Sequence, residues 1–290
     1  MHLLTFGYGF TGQALARRMQ ADDWSITAVV RSDETAAKAR AHGVTSIYVD
    51  DRPGLVDALK TATAILITAP PTETGCPGLN TLIPALAEAN AFPDWIGYLS
   101  TTGVYGDREG RWVFEAGPLS ARSVESARRV SAERDWRQIG RGMGLTVTAF
   151  RLPGIYGPGR SALDRAREGT AHGIVRPGQM FSRVHVDDIA SGLAASIARP
   201  RAGASYNLCD DEPAPSHEVN AFAARLLGLP APPAVAFDDA DLTPAARRFW
   251  SENKRVSNAL AKAELGWRPA FPTYREGLTA IHAAEVAGRR

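Results

Sequence analysis

The chain opens on a strand-like run that leads directly into three closely spaced glycines. Residues 3–6 (LLTF) precede Gly7, Gly9 and Gly12 in a G-x-G-x-x-G pattern, and helical spacing of apolar residues follows. In such a turn the first glycine permits the tight exit from the strand, the second lets a pyrophosphate approach the backbone, and the third allows close helix–strand packing. The N–H groups and dipole of the helix then attract the phosphates. The residues predicted to bind a dinucleotide here are Gly7, Tyr8, Gly9, Phe10, Thr11 and Gly12. An ordinary strand-to-helix turn is the alternative.

A second strand-like run, residues 25–30 (SITAVV), ends at Arg31 and Ser32. In dinucleotide-binding folds an acidic residue at this point binds the ribose 2′-hydroxyl of NAD, whereas a basic residue accommodates the 2′-phosphate of NADP. Arg31 therefore favours NADP, with Ser32 beside it and NAD as the alternative cofactor. The competing interpretation is an arginine that is simply exposed at the end of a strand.

Strand-like and helix-like segments alternate through the first half of the chain. Further strand-like runs occupy residues 44–49, 64–68, 94–100 and 146–152, and helical patterns lie at 34–41, 55–60 and 79–89. This alternation predicts an α/β fold with a Rossmann-type doubly wound parallel sheet. Ligands of such sheets bind beyond the carboxyl ends of the strands. The residues expected to line the adenine and ribose pocket there are Asp50, Ala69, Pro70 and Pro71.

The later part of the chain predicts a second, smaller lobe. A turn-rich stretch at residues 153–160 (PGIYGPGR) reads as a hinge, and the segments beyond it are less regular. We assign residues 1–152 to the dinucleotide-binding domain and expect the chain to return to it at about 184–211. Residues 153–183 and 212–290 then form the smaller substrate lobe.

Composition and charge exclude several classes of protein. The net charge of +2 is too small to indicate nucleic-acid or membrane-surface binding, and no long apolar run predicts a membrane span. Cys76 and Cys209 are expected to be free thiols in a reducing compartment, and we predict no metal site because no zinc-binding pattern occurs. The first residues suit a strand rather than a signal peptide, so we expect a cytoplasmic location.

Two further stretches carry side chains suited to binding. Thr101 and Thr102 follow the strand at 94–100, where a hydroxyl can hydrogen-bond a substrate carbonyl or alcohol. Capping of the following turn is an equally good use of these residues. Residues 247–255 (RRFWSENKR) mix basic and aromatic side chains, which suits either contact with a phosphate-bearing substrate or a solvated face.

Several motifs, taken in order, resemble those of the extended short-chain dehydrogenase/reductase family of the NAD-dependent epimerase/dehydratase type. The resemblance covers nearly the whole chain. It is carried by GYGFTG at 7–12, YLSTTGVYGD at 98–107, FRLPGIYGPG at 150–159, VHVDDIA at 184–190, YNLCDDEP at 206–213 and LGWRP at 265–269. It implies a Rossmann nucleotide lobe, a smaller C-terminal substrate lobe and a cleft between them. It also implies activity on nucleotide-linked sugars, Thr101 as the catalytic hydroxyl, and a homodimer formed through a long helix expected at 119–139.

The sequence departs from the family pattern on that helix. The family carries Tyr-x-x-x-Lys there, whereas this chain has Glu125 and Arg129 at the corresponding positions. Arg129 can bind ribose hydroxyls, but an arginine is a poor proton shuttle. An exposed Glu125–Arg129 pair is the alternative. The departure resembles the atypical, YeeZ-like branch, and Tyr105, Tyr156 or Glu125 would have to replace the missing acid/base.

The predicted substrate site is similarly modified. Gly154 stands where the family often has an asparagine that contacts substrate phosphate, so Arg160 and Arg183 are the candidates for binding an anionic substrate. Thr102 and Tyr156 complete the predicted substrate contacts. Two functions follow: an NADP-dependent oxidoreductase or epimerase on a nucleotide-sugar-like or other polar substrate, or a non-catalytic NADP-binding redox sensor or interaction protein.

Overall fold

The computed structural model describes residues 1–243, 247 and 250–288. Its strands are β1 His2–Phe6, β2 Ser25–Val30, β3 Thr45–Tyr48, β4 Ala64–Ile67, β5 Trp95–Thr101, β6 Trp112–Val113, β7 Val147–Leu152, β8 Gly154–Tyr156, β9 Gly173–Val175, β10 Arg183–His185, β11 Ser205–Asn207, β12 Ala234–Ala236 and β13 Arg255–Val256. Its α-helices are α1 Phe10–Gln20, α2 Asp33–Ala41, α3 Arg52–Thr61, α4 Pro77–Ala89, α5 Val124–Met143, α6 Ala162–Arg167, α7 Val186–Ala198, α8 Ser216–Leu226, α9 Ala259–Leu265 and α10 Tyr274–Ala287. No helix in these ranges combines the length and apolarity needed to cross a membrane.

A parallel sheet of seven strands in the order β11-β7-β5-β4-β1-β2-β3 forms the centre of the molecule. The order reverses direction between β1 and β4, which is the switch point where doubly wound sheets bind their ligands. The predicted α/β, Rossmann-type fold is therefore confirmed. β11 is the edge strand beside β7.

Helices cover both faces of this sheet. Leu15 of α1 and Leu193 of α7 belong to the apolar cluster on one face. Leu55 of α3, Leu82 of α4 and Trp136 of α5 belong to the cluster on the other. All four residues of β4 are buried, as expected for a central parallel strand that is covered on both sides.

The long helix begins and ends later than the sequence predicts. It was expected over 119–139, but α5 runs from Val124 to Met143. The Ser123 hydroxyl accepts a hydrogen bond from the backbone N–H of Ser126, at 3.1 Å, and so caps the first turn. Gly144 ends the helix in the left-handed conformation, with φ 69°.

Short parallel pairs join later segments of the chain to earlier ones. β10 pairs with β8, and β13 pairs with β6, in the loop that follows β5. β10 covers only Arg183–His185. The β13–β6 pair holds the segment before β13 against the carboxyl end of the central sheet. Part of the basic–aromatic stretch at 247–255 lies outside the described residues.

Candidate functional site

The glycine turn has a separate geometric reason for each glycine. Gly7 has φ +99°, and a Cβ there would lie 2.4 Å from the Thr68 hydroxyl oxygen. A Cβ on Gly12 would lie 3.1 Å from the carbonyl oxygen of Gly7, so α1 packs tightly against the end of β1. A Cβ on Gly9 would meet nothing within 4 Å, so the backbone there faces open space. That opening is the approach that a pyrophosphate requires.

The start of α1 lacks a side-chain cap. Gly9 is its N-cap and supplies no side-chain acceptor, and no acidic residue lies in the first turn. Ser32, Asp51 and Ser123 cap α2, α3 and α5, whereas α4, α8 and α9 also lack a side-chain cap. The N–H groups at the start of α1, with Phe10 and Thr11 in the first turn, therefore suit a phosphate group.

Tyr8 contributes to this turn only through its backbone. Its side chain is buried in the core cluster that also contains Leu15, and its hydroxyl lies 3.1 Å from Nδ1 of His42. The predicted contact of Tyr8 with the dinucleotide therefore stays a prediction that concerns its backbone. The buried ring instead anchors the turn against the layer formed by α1 and α2.

The residues expected at the adenosine end follow the carboxyl ends of β2, β3 and β4. Arg31 and Ser32 are exposed directly after β2, and Asp50 is exposed after β3. Asp33 accepts a hydrogen bond from the Tyr48 hydroxyl. The remaining residues of this edge are Ala69, Pro70 and Pro71, which are half-buried or exposed after β4. Arg31 thus projects a cation at the edge where a ribose phosphate would lie.

A cavity of about 290 Å³, the turn cavity, opens beside the glycines. Gly9, Thr68, Thr101 and Arg129 are among the residues that line it. The Arg129 guanidinium donates a hydrogen bond to the carbonyl oxygen of Leu99 and lies 5.9 Å from the centre of the Tyr98 ring. Arg129 is therefore tied to the end of β5, on the wall that faces the glycine turn.

A second cavity of about 380 Å³, the central cavity, shares Thr101 and Pro153 with the turn cavity. The Thr101 hydroxyl oxygen accepts a hydrogen bond from the backbone N–H of Gly103, at 3.1 Å. Its own proton remains available to donate to a substrate oxygen. Thr102 and Glu125 also line the central cavity, so the structure brings these predicted residues together.

A third cavity of about 560 Å³, the outer cavity, lies between β8, β10 and the C-terminal helices. It shares Arg160 with the turn cavity and Gly154 with the central cavity. The Arg160 guanidinium lies 5.6 Å from the centre of the Phe10 ring. Arg183 donates hydrogen bonds to the carbonyl oxygens of Phe181 and Ala214, at 2.9 and 3.0 Å.

Tyr156 also lines the outer cavity, with only a small part of its surface exposed. Its hydroxyl has no hydrogen-bond partner among the described residues, and its ring packs edge-on against His185, with the ring centres 5.2 Å apart. Burial raises the pKa of Tyr156 well above the ordinary value, and nearby Asp210 raises it further. At neutral pH the phenol is therefore protonated and suited to donate a hydrogen bond.

Residues 3–209 match the model of the NAD dependent epimerase/dehydratase family. The chain belongs to this family.

Relatives and solved structures agree with that assignment. The chain is 33% identical to Protein YeeZ of Escherichia coli (strain K12), over 78% of this chain and 84% of that protein. A functionally unknown conserved protein from Silicibacter pomeroyi DSS is 45% identical, with a TM-score of 0.90 and 98% and 99% of the two chains covered. The dTDP-glucose 4,6-dehydratase DesIV from Streptomyces venezuelae, solved with NAD and TYD bound, is 21% identical. Its TM-score is 0.78 and the coverage is 100% and 98%. At that identity the likeness shows the fold alone.

One residue predicted as a replacement acid/base in this family member does not reach the cleft. Tyr105 is fully buried, and its hydroxyl donates to Oδ1 of Asn207 at 2.7 Å and accepts from Arg151 at 3.0 Å. Burial raises the pKa of Tyr105 to about 12. The catalytic prediction for Tyr105 is wrong because the hydroxyl is already committed to a buried network.

That network also includes an ion pair between Arg151 of β7 and Glu133 of α5. The two side chains are 3% and 1% exposed, and Arg151 Nη2 lies 2.8 Å from Glu133 Oε2. Glu133 also accepts a hydrogen bond from the Ser100 hydroxyl of β5. The network joins the central strands β5 and β7 to α5.

Lys254 is an ionisable residue of the cleft that the sequence did not single out. It is buried just before β13, lines the central cavity, and donates to the carbonyl oxygen of Gly106 at 3.0 Å and to the carboxylate of Glu252. Burial lowers the pKa of Lys254, and the charges of Glu252 and Asp107 offset this only in part. In the sequence, the stretch at 247–255 stands out only for its basic and aromatic residues. The β13–β6 pairing that brings Lys254 to the cavity joins residues that are distant in the sequence, so no local pattern indicates it.

Proposed function

We propose that this protein is an NADP-dependent oxidoreductase or epimerase that acts on a nucleotide-sugar-like or other polar substrate. The observation that carries the proposal is the continuity of the three cavities. The turn cavity meets the central cavity at Thr101 and the outer cavity at Arg160. A dinucleotide that enters at the glycine turn would thus have a polar chamber beside it and an arginine-bearing chamber beyond.

The lining of the central cavity supports an oxygen-rich substrate. Hydroxyls of Thr101, Thr102 and Ser123 lie on its walls with the carboxylate of Glu125. Such side chains can donate to and accept from sugar hydroxyls or a carbonyl. A bound nicotinamide would supply or accept the hydride, so the protein needs only to position the substrate and move a proton.

The outer cavity supports an anionic group on that substrate. Arg160, Arg165 and Arg183 line it, and Phe181 and Trp250 add flat aromatic surface. Guanidinium groups hydrogen-bond phosphate oxygens, and aromatic rings suit a nucleobase. The combination fits a nucleoside diphosphate attached to the polar part of the substrate.

The choice of NADP rests on Arg31. It is exposed at the end of β2, where a cation stabilises a ribose 2′-phosphate. Asp33 is close by in sequence, but its carboxylate accepts from Tyr48. NAD remains the alternative cofactor. Both cysteines are buried free thiols, which supports the proposed cytoplasmic location.

A non-catalytic NADP-binding sensor or interaction protein is the second candidate. It is favoured by α5, where Glu125 and Arg129 replace the tyrosine and lysine of the family. A sensor needs only the turn cavity, whereas the described residues also enclose two chambers on the substrate side.

The test has two stages. Calorimetric titration of the purified protein with NADPH and with NADH is expected to show saturable binding, tighter for NADPH. The protein is then loaded with NADP⁺ or NAD⁺, the forms that accept a hydride from a sugar alcohol, and incubated with UDP-glucose and with dTDP-glucose, while the nicotinamide absorbance and the sugar products are followed. Binding without turnover of either sugar would favour the sensor. Absence of dinucleotide binding would overturn both candidates.

A further inference from the structure

We propose that Lys254, held by Glu252, donates and accepts the proton at the substrate oxygen in the central cavity. The inference rests on the proposed oxidoreductase function and names a group for the role that the family's missing tyrosine leaves open. The chain contains four lysines, Lys38, Lys60, Lys254 and Lys262. Lys254 is the one that lines this cavity.

Two segments that lie far apart in the sequence line the central cavity. Thr101 and Thr102 come from the end of β5 and the turn that follows it, whereas Glu252 and Lys254 come from the segment before β13. A substrate in the cavity would thus lie between the hydroxyl of Thr101 and the amine of Lys254. The turn cavity, with its glycines, adjoins on the Thr101 side.

Hydrogen bonds fix the segment that carries Lys254. The backbone N–H of Asn253 donates to Oδ1 of Asp107 at 2.8 Å, and its carbonyl oxygen accepts from the N–H of Arg108 at 2.9 Å. The β13–β6 pair continues this attachment. Lys254 therefore has a backbone held on a rigid frame, as a proton-transfer group requires.

The amine keeps one proton for a ligand. An ammonium has three N–H donors, and the bonds to Gly106 and Glu252 account for two of them. Asp107 and Arg108, from the loop after β5, are further charged groups that act on the amine, and Glu125 of α5 shares the cavity. Burial lowers the pKa of Lys254 from its ordinary value, which makes release of its proton easier.

The proposed step balances in both directions. With hydride supplied to the carbonyl carbon by bound NADPH, the Lys254 ammonium donates its proton to the carbonyl oxygen, and the C=O bond becomes a C–OH bond. The neutral amine then takes a proton from water. In the oxidative direction the neutral amine accepts the hydroxyl proton as the hydride leaves the carbon. Glu252 stabilises the charged form of the amine throughout.

The first test needs no turnover. Lysine labelled with ¹³C at Cε is incorporated biosynthetically, and its NMR shift reports ionisation of each amine; the Lys254 signal is the one missing from Lys254→Arg. We expect the Lys254 midpoint to lie about half a pH unit or more lower with NADP⁺ than with NADPH, because the oxidised nicotinamide ring is positively charged. The signal of Lys262, which pairs with Asp211, should not move.

Equal Lys254 midpoints in two saturated complexes would overturn the proposal and leave the proposed function standing. If neither dinucleotide binds, the proposed function fails instead. A lysine that lies away from the nicotinamide would not respond to the oxidation state of the cofactor, and the second test separates proton transfer from a bracing role.

The second test uses turnover of UDP-glucose or dTDP-glucose. Lys254→Arg keeps the positive charge but cannot deprotonate, and Lys254→Met keeps the length without the charge. We expect both to lower kcat on the order of a hundredfold or more, with NADPH affinity within about twofold of the parent. Lys262→Met is the matched control. Parental kcat in Lys254→Arg would contradict proton transfer.

Discussion

At the carboxyl edge of the sheet, substitutions of single residues are expected to affect cofactor binding and stability differently. Gly7 and Gly9 are two positions apart, yet their surroundings are opposite. Gly7 has a positive φ and lies against Thr68, whereas Gly9 has φ −83° and faces open space. Substitutions at these two positions therefore distinguish a phosphate site from an ordinary turn.

Gly9→Ala is expected to weaken NADPH binding about tenfold or more, since the added methyl group occupies the approach of the pyrophosphate. Its free energy of unfolding should fall by about 1 kcal/mol or less, because alanine is a poorer N-cap than glycine. Gly7→Ala is the contrasting variant, and we expect a larger loss of stability from its φ and its contact with Thr68. Calorimetry and urea unfolding measure both quantities. Unchanged NADPH affinity in Gly9→Ala would show that the glycines form an ordinary strand-to-helix turn and not a phosphate site.

Arg31→Asp is expected to reverse the cofactor preference from NADPH to NADH. The carboxylate would repel the 2′-phosphate and accept a hydrogen bond from the 2′-hydroxyl. The ratio of the two dissociation constants, measured by calorimetry, should change by about tenfold or more. Arg17→Ala, which removes an exposed arginine of α1, is the control. An unaltered ratio in Arg31→Asp would show that Arg31 does not determine the choice between NADPH and NADH.

Thr101 tests the hydroxyl that holds the reacting oxygen. Thr101→Val removes the hydroxyl and keeps the shape, whereas Thr101→Ser keeps the hydroxyl. We expect turnover of UDP-glucose or dTDP-glucose to fall about tenfold to a hundredfold in the valine variant, and to be largely retained in the serine variant. NADPH affinity should be similar in both. Equal activities of the two variants would mean that the Thr101 hydroxyl only caps the following turn and does not hold the reacting oxygen.

Elements are joined beneath the cleft by the buried network around Arg151. Its guanidinium contacts Glu133 of α5, the Tyr105 hydroxyl and the carbonyl oxygen of Glu115. A buried charge that loses its partner is strongly unfavourable, whereas the intact pair need not stabilise the fold more than apolar packing would. The network therefore specifies how α5 lies on the sheet.

Glu133→Gln is expected to lower the free energy of unfolding by about 3–5 kcal/mol, because it leaves the Arg151 cation buried without its counter-charge. Glu109→Gln breaks the exposed Glu109–Arg111 pair and should cost less than about 1 kcal/mol. Urea unfolding at pH 7 compares the two. If both variants lower the free energy of unfolding by a similarly small amount, the buried pair matters no more for stability than the exposed pair does.

At the scale of the whole molecule, Asp188 connects the sheet layer to the C-terminal segment. Its carboxylate lies at the start of α7 and accepts hydrogen bonds from the backbone N–H groups of Ala270 and Phe271, at 2.6 and 3.1 Å. Burial raises the pKa of Asp188 to about 6, although these two N–H groups oppose the shift. This contact should therefore depend on pH within an accessible range.

Because the folded state binds the Asp188 proton more tightly than the unfolded state, its contribution to stability is complete below about pH 4. It is lost as pH rises through about 6. Asp188→Asn stays neutral, so the free energy of unfolding of the variant should improve relative to the parent between pH 4.5 and 7.5. The change should be on the order of 1–3 kcal/mol. Asp57→Asn, at an exposed site, is the control. A pH-independent difference between parent and Asp188→Asn would contradict the raised pKa.

The homodimer through the 119–139 helix stays a prediction at this scale. α5 presents an exposed surface that includes Val124, which is 63% exposed. Sedimentation equilibrium of the purified protein would decide between monomer and dimer.

The sequence by itself determined the parts of this protein that depend on local patterns. Glycine spacing predicted the turn between β1 and α1, and the alternation of strands and helices predicted the parallel sheet. Both signals come from residues close together in the chain. Family motifs predicted Thr101 at the cleft, and it lines both the turn cavity and the central cavity.

Only the tertiary structure decided which polar side chains reach the cleft. Tyr105 and Lys254 lie far apart in the sequence, and neither has a local pattern that reveals its surroundings. The Tyr105 hydroxyl is directed to Asn207 and Arg151 by the neighbouring strands, whereas β13 pairs with β6 and brings Lys254 to the central cavity. The burial and the electrostatic environment of a site depend on residues from segments that are distant in the sequence. They are therefore defined only once those segments have packed together.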